Sequence, residues 1–113
     1  MLAEVENGVC PPGSVLERPI LGPLAIAGVP DPARQYRLHD DDGVIGDLDL
    51  AWPSVRVGLE GDGFDPHMER FVFHADRVKM NRAARIRWTI LRATWEDTKR
   101  PQRLIETISS FFP

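Results

Sequence analysis

The order of residue patterns predicts an α/β (α+β) domain: a central mixed sheet containing a carboxylate-bearing β-hairpin, flanked by helices. Three observations carry this. A capped but proline-interrupted helical start comes first, then alternating apolar segments of strand length, then helical segments at the C-terminal end. The order reads as one helix, several strands, and further helices around a last strand. With 113 residues, 42% hydrophobic and 27% charged, the chain is long enough for one domain with a modest core.

Residues 1–13 read as an N-terminal loop ending in "CPPG", and residues 14–113 as a single domain. "SVLE", Ser14 to Glu17, has the form of a capping box. The helix it starts should be short, kinked or broken, because Pro19 and Pro23 each remove a backbone donor. "QYRLH" reads as a strand and "DDDG" (Asp40 to Gly43) as a turn. "VIGDLDLAW" is the next strand, "PS" turns the chain, and "VRVGLEG" returns it. "DPHMER" opens a helix with Asp65 as cap and Pro66 in its first turn, running with or without a break to about Ile86. "WTILRA" is a strand and "TWED" a second cap. The last helix starts near Pro101, with one apolar stripe of Leu104, Ile105, Ile108, Phe111 and Phe112.

The hairpin carries the most specific signal. Alternation sets Leu48, Leu50 and Trp52 on one face of its first strand and Asp47, Asp49 and Ala51 on the other. A tight turn at Pro53 and Ser54, with apolar matched to apolar, pairs Asp49 with Glu60 and Asp47 with Asp62. Four carboxylates then share one face. A half-solvated hairpin accounts for the alternation. It does not account for the pairing, because like charges directly opposite one another destabilise a sheet. A divalent cation such as Mg²⁺ turns that repulsion into a site, and Ala51 and Gly58 leave room for it.

Charge distribution adds a second signal. The net charge of −3 argues against a general nucleic-acid-binding protein. Yet residues 1–62 hold eleven of the seventeen acids, and residues 70–103 hold ten of the fourteen Lys and Arg. An acidic cluster beside a basic segment suits a metal ion next to a phosphate backbone; the alternative is a set of solvated helix faces. The single cysteine, Cys10, rules out an internal disulfide and fits a reducing, cytoplasmic setting. "MLAEVENGV" has no apolar run of a signal peptide, and no segment has the length and apolarity of a membrane span.

Together these residues resemble a known family. "GDLDLAWPSVRVGLEGDG" resembles the metal-binding hairpin of the PD-(D/E)XK nuclease superfamily. More narrowly, the chain is similar to the very-short-patch-repair (Vsr)-like endonuclease domain, in its actinobacterial domain-of-unknown-function branch. That pattern runs S-x-x-E, A-G-L-P, D-x-x-W-P, E-x-D-G with H, D-R-x-R-x-N, and G-W-x-x-L-R-x-T-W. The chain supplies Ser14 and Glu17, Ala27-Gly28-Val29-Pro30, Asp49 with Trp52-Pro53, and Glu60-Gly61-Asp62-Gly63 with His67. Asp76-Arg77 with Asn81, Trp88, Leu91-Arg92 and Thr94-Trp95 follow. The match spans about residues 14–112. It departs at Asp62, where the superfamily often has Lys, at Arg87, where Gly is expected, and at Ala83, where Leu is expected.

The resemblance implies a restriction-endonuclease-like core and a Mg²⁺- or Mn²⁺-dependent endonuclease acting on DNA in a repair, mobile-element or defence context. Asp49, Glu60 and Asp62 are the implied metal ligands. Glu17 reaches the site from the first helix, and His67 is the candidate general acid or base. Arg77, Lys79, Arg82 and Arg85 are candidate phosphate contacts. Trp52, Trp88 and Trp95 read as packing residues, and Arg92 as the partner of an acid such as Asp76 or Glu17. The competing expectation is a nuclease-like module without catalysis that binds DNA or a protein partner. The sequence leaves oligomeric state open.

Overall fold

The computed structural model describes residues 17–61 and 77–113, with side chains from Pro19 onward in the first segment. A four-stranded mixed sheet forms the centre, in the order β1-β2-β3-β4. The strands are β1 (Ala33–Asp40), β2 (Gly43–Trp52), β3 (Val57–Gly61) and β4 (Thr89–Ala93). β1–β2 and β2–β3 are antiparallel, and β3–β4 is parallel. The helices are α1 (Gly22–Ile26), α2 (Arg77–Arg85), α3 (Trp95–Lys99) and α4 (Gln102–Ser109). The architecture is thus a mixed α/β fold with helices on both faces of the sheet.

Proline sets the start of this order. Pro23 has no N–H to return to Pro19, so a regular helical ladder cannot run through it. The chain instead makes a π-helical turn, Glu17–Leu21, and α1 begins after it. The expected cap at Ser14 and the expected helix start at Asp65 lie outside the described residues. α3 has the expected cap. Thr94 Oγ1 accepts from the Asp97 N–H, and Asp97 Oδ2 accepts from the Thr94 N–H at 2.8 Å.

Two apolar clusters lie on the two faces of the sheet. Leu50, Trp52, Val57, Leu59 and Ala93 pack with Ile20 and Leu24 from one side and with Leu104, Ile105 and Ile108 of α4. The stripe anticipated for the last helix is therefore its buried face. Trp52 closes this cluster: its ring packs edge-on against Phe112, and its Nε1 donates to the Pro30 carbonyl at 2.8 Å. On the other face Leu38, Ile45, Leu48 and Ala51 pack with Ala83 of α2, flanked by Tyr36, Met80, Ile86, Trp88 and Ile90. Trp88 stacks on Tyr36 at 5.5 Å between ring centroids. Trp95, also expected in the packing, is 54% exposed.

The structure corrects one parity expectation. Leu48 does not join Leu50 and Trp52; it lies in the cluster beneath α2 with Ala51. The alternation of β2 slips between Leu48 and Leu50, at Asp49. Across the β1–β2 ladder, Arg34 pairs with Leu50 and Tyr36 with Leu48, so Gln35 stands opposite Asp49. Gln35 has φ 51°, in the left-handed region. The irregularity thus involves both strands. The displaced Leu48 side chain covers Gly58: a Cβ built there would lie 2.5 Å from Leu48 Cδ1. Gly58 is required for that close approach.

Candidate functional site

The β2–β3 register is the one the hairpin pattern implies. Leu50 pairs with Leu59, Ala51 with Gly58 and Trp52 with Val57. The next step outward sets Asp49 opposite Glu60. Both carboxylates are buried, at 3% and 5% exposure, among an otherwise apolar set of buried side chains. Counted from Leu59, which packs in the α4 cluster, Glu60 falls on the α2 face of the sheet.

Burying two carboxylates needs compensation: Asp49 receives a backbone hydrogen bond and Glu60 a guanidinium, while Glu60 Oε1 has no hydrogen-bond partner among the described residues. The Gly61 N–H donates to Asp49 Oδ2 at 2.7 Å, tying β2 to the residue after Glu60. Glu60 lies 3.5 Å from Arg92 (Oε2 to Nη1), its register partner across the parallel β3–β4 ladder. The sequence singles out Arg92 as an acid's partner but names Asp76 or Glu17. The partner found here is Glu60, because an in-register parallel strand brings residues 60 and 92 side by side.

Of the four carboxylates expected on one face, three lie among the described residues, and Asp47 differs from Asp49 and Glu60. Asp47 is taken by Arg37, opposite it on β1, whose Nε and Nη2 donate to the two Asp47 oxygens at 2.7 and 3.0 Å. Asp62 and His67 lie outside the described residues, as does the Glu17 side chain. Among the described residues no group of three His, Cys, Asp or Glu side chains is placed to hold a metal ion. Asp49 and Glu60 offer hard oxygen donors of the type Mg²⁺ and Mn²⁺ prefer. They are two donors, fewer than the coordination number of either ion.

The four basic candidates separate. Arg77 and Arg85 are exposed on α2, and Lys79 is half-buried. Arg82 has a structural task. Its Nε and Nη2 donate to the two oxygens of Asp40, at 2.9 Å for the first, and Nη2 also donates to the Gly43 carbonyl at 3.1 Å. This clasp ties α2 to the β1–β2 turn. The hydrogen bonds from Arg82 pull the Asp40 pKa down to about 2.

Two uncharacterized proteins of Mycobacterium tuberculosis, from strains CDC 1551 / Oshkosh and ATCC 25618 / H37Rv, are each 29% identical to this chain over 83 residues. The match covers 73% of this chain and 31% of the relative in each case. The chain therefore spans about a third of the length of the curated relatives it matches. No family model matches it, and no solved structure gives a significant match. No described helix is long and apolar enough to cross a membrane.

Proposed function

We propose that the chain is a metal-dependent DNA endonuclease domain of the Vsr-like, PD-(D/E)XK type, with a restriction-endonuclease-like core. The observation that carries this reading is the burial of Asp49 and Glu60 at adjoining positions of neighbouring strands. A fold that needed only stability would place apolar residues there. A second observation supports the resemblance. Arg87, where the family pattern has Gly, has φ 69°, a backbone conformation that glycine adopts without strain.

On this reading Asp49 and Glu60, completed by Asp62, hold a Mg²⁺ or Mn²⁺ ion. When bound, the ion supplies a water of lowered pKa and offsets charge developing on the phosphodiester. Asp49 is held in place by the Gly61 N–H, and Glu60 by Arg92. Glu17 and His67 are the remaining candidates at the reacting end, His67 to move a proton. Exposed Arg77 and Arg85, with Lys79, meet strand phosphates from α2.

The test compares wild type with Glu60→Gln in one preparation protocol, on matched and mismatched duplexes with Mg²⁺ or Mn²⁺. The wild type cleaves and the variant loses cleavage. Either ion raises the melting temperature of the wild type, by about 2.7 kcal/mol of stabilisation at a hundredfold excess over Kd, and that of the variant less. Equal cleavage by both proteins points to a contaminating nuclease. One observation favours the second reading, a non-catalytic module that binds DNA or a protein. Arg92 already supplies Glu60 with a positive charge, so the pair can stand without a metal. Folded wild type that neither cleaves nor gains stability from either ion selects that reading.

A further inference from the structure

The far end of the same two strands carries a second concentration of charge. An open cleft of about 720 Å³ lies between the β1–β2 turn and the starts of β3 and β4. Its lining includes Arg56, Arg85, Arg87 and Trp88 together with Asp40, Asp41 and Asp42, of which Asp40 is paired with Arg82. All three arginines are exposed. Among the described residues none of them makes a side-chain hydrogen bond or ion pair. The contrast with Arg37 and Arg82 is clear, since each of those gives two hydrogen bonds to one carboxylate.

The backbone holds two of the three in a costly position. Arg56 has φ 57° and Arg87 has φ 69°. The left-handed region is disfavoured for any residue with a Cβ, and strain of this kind concentrates at binding sites. The two loops are also tied together and to the fold. The Thr89 N–H donates to the Arg56 carbonyl, and the Arg87 N–H to the Ala84 carbonyl, both at 2.9 Å. Two strained arginines are therefore presented side by side from rigid turns, with a third, Arg85, on the last turn of α2. Guanidinium groups in this arrangement match phosphate oxygens.

We propose that this cleft grips a phosphodiester of the DNA backbone, separately from the Asp49–Glu60 pair. The proposal rests on the DNA reading above. Four residue steps along β3 separate Arg56, just before the strand, from Glu60, on the order of 13 Å at the usual strand rise. That span corresponds to about four base-pair steps at 3.4 Å per step, so one bound strand reaches both stations. Trp88 offers a flat apolar surface beside the phosphate. Asp41 and Asp42 oppose binding and keep the cleft weak for free anions.

The test is fluorescence anisotropy of a labelled duplex in EDTA, where cleavage does not interfere, across a salt series. Arg56→Asn/Arg87→Asn suits the site, because Asn tolerates the left-handed backbone. This variant keeps the wild-type circular dichroism and melts no lower than wild type, because Asn relieves the left-handed strain. It binds about tenfold more weakly at 0.1 M salt, with a log–log salt slope shallower by about 2 units. Asp41→Asn/Asp42→Asn moves affinity the other way by several-fold. Lys99→Asn/Arg103→Asn removes the same charge elsewhere and leaves the slope nearly unchanged. If the arginine variant binds like wild type, or the Lys99/Arg103 variant loses as much, the cleft proposal fails and the DNA reading stands. If wild type binds no duplex even at low salt, both fail together.

Discussion

At the Glu60 end of the β3–β4 pair, charges are buried and compensated: Glu60 by Arg92, Asp49 by a backbone amide. At the Arg56 end, three arginines and three aspartates line one cleft, and the arginines form no ion pairs among the described residues. The difference follows from solvent. A carboxylate inside the sheet must be met by a donor or a cation, since desolvating it alone costs several kcal/mol. A guanidinium at an open cleft is satisfied by water and can wait for a ligand. Compensation lets the first end keep its buried charges folded, whereas the strained, unmatched arrangement at the second is hard to explain by stability.

Removing a partner at the buried end is the most damaging way to break this contrast. Arg92→Met should lower stability by about 2–4 kcal/mol in chemical denaturation, because it leaves Glu60 buried without its guanidinium. Adding Glu60→Leu should restore much of the loss. A loss that the second change does not restore would mean that Arg92 acts through packing instead.

At the exposed end the sign should reverse. Arg87→Gly removes the left-handed strain at φ 69° and should raise stability by up to about 1 kcal/mol, measured by thermal melting, while weakening duplex binding. A stability loss would show that the Arg87 side chain holds the turn together, against the picture of a cleft wall open to a ligand.

The smallest effect concerns the Arg82–Asp40 clasp beside the cleft. Hydrogen bonds from Arg82 lower the Asp40 pKa to about 2 from the ordinary 3.8. The clasp therefore contributes fully above about pH 4, and its contribution fades as pH falls from 4 through 2. In Arg82→Met the melting temperature should depend less steeply on pH across that window. An unchanged slope would assign the acid sensitivity to other carboxylates.

Much of this was legible in the sequence, for identifiable reasons. The four strands are short alternating or apolar segments bounded by Pro, Gly and Asp, and the Thr94 cap and the α4 stripe depend on local spacing alone. The Asp49–Glu60 register was readable because a tight hairpin leaves few alternatives once apolar residues must match. What failed depended on neighbours distant in sequence. Leu48 changed faces through an irregularity shared with Gln35, thirteen residues earlier. Asp47 was claimed by Arg37 and Arg82 by Asp40, pairings set by tertiary register that no local pattern encodes. The cleft was invisible for the same reason, since Arg56, Arg87 and the Asp41–Asp42 turn meet only when β1, β3 and β4 are assembled. Asp62 and His67 fall outside the described residues, so their part in the site rests on the resemblance.

The uneven course of β1 has a bearing on how copies of this molecule coexist at high concentration. Among the described residues β1 is an outer strand, and a straight outer strand would offer its open amides and carbonyls to another chain as a template. Here the left-handed residue Gln35 and the register shift between Leu38 and His39 break that row, and exposed Arg34 and Arg37 line it with charge. A second β1 brought alongside would meet like charge and a bent backbone, so the edge resists growth into a shared intermolecular sheet.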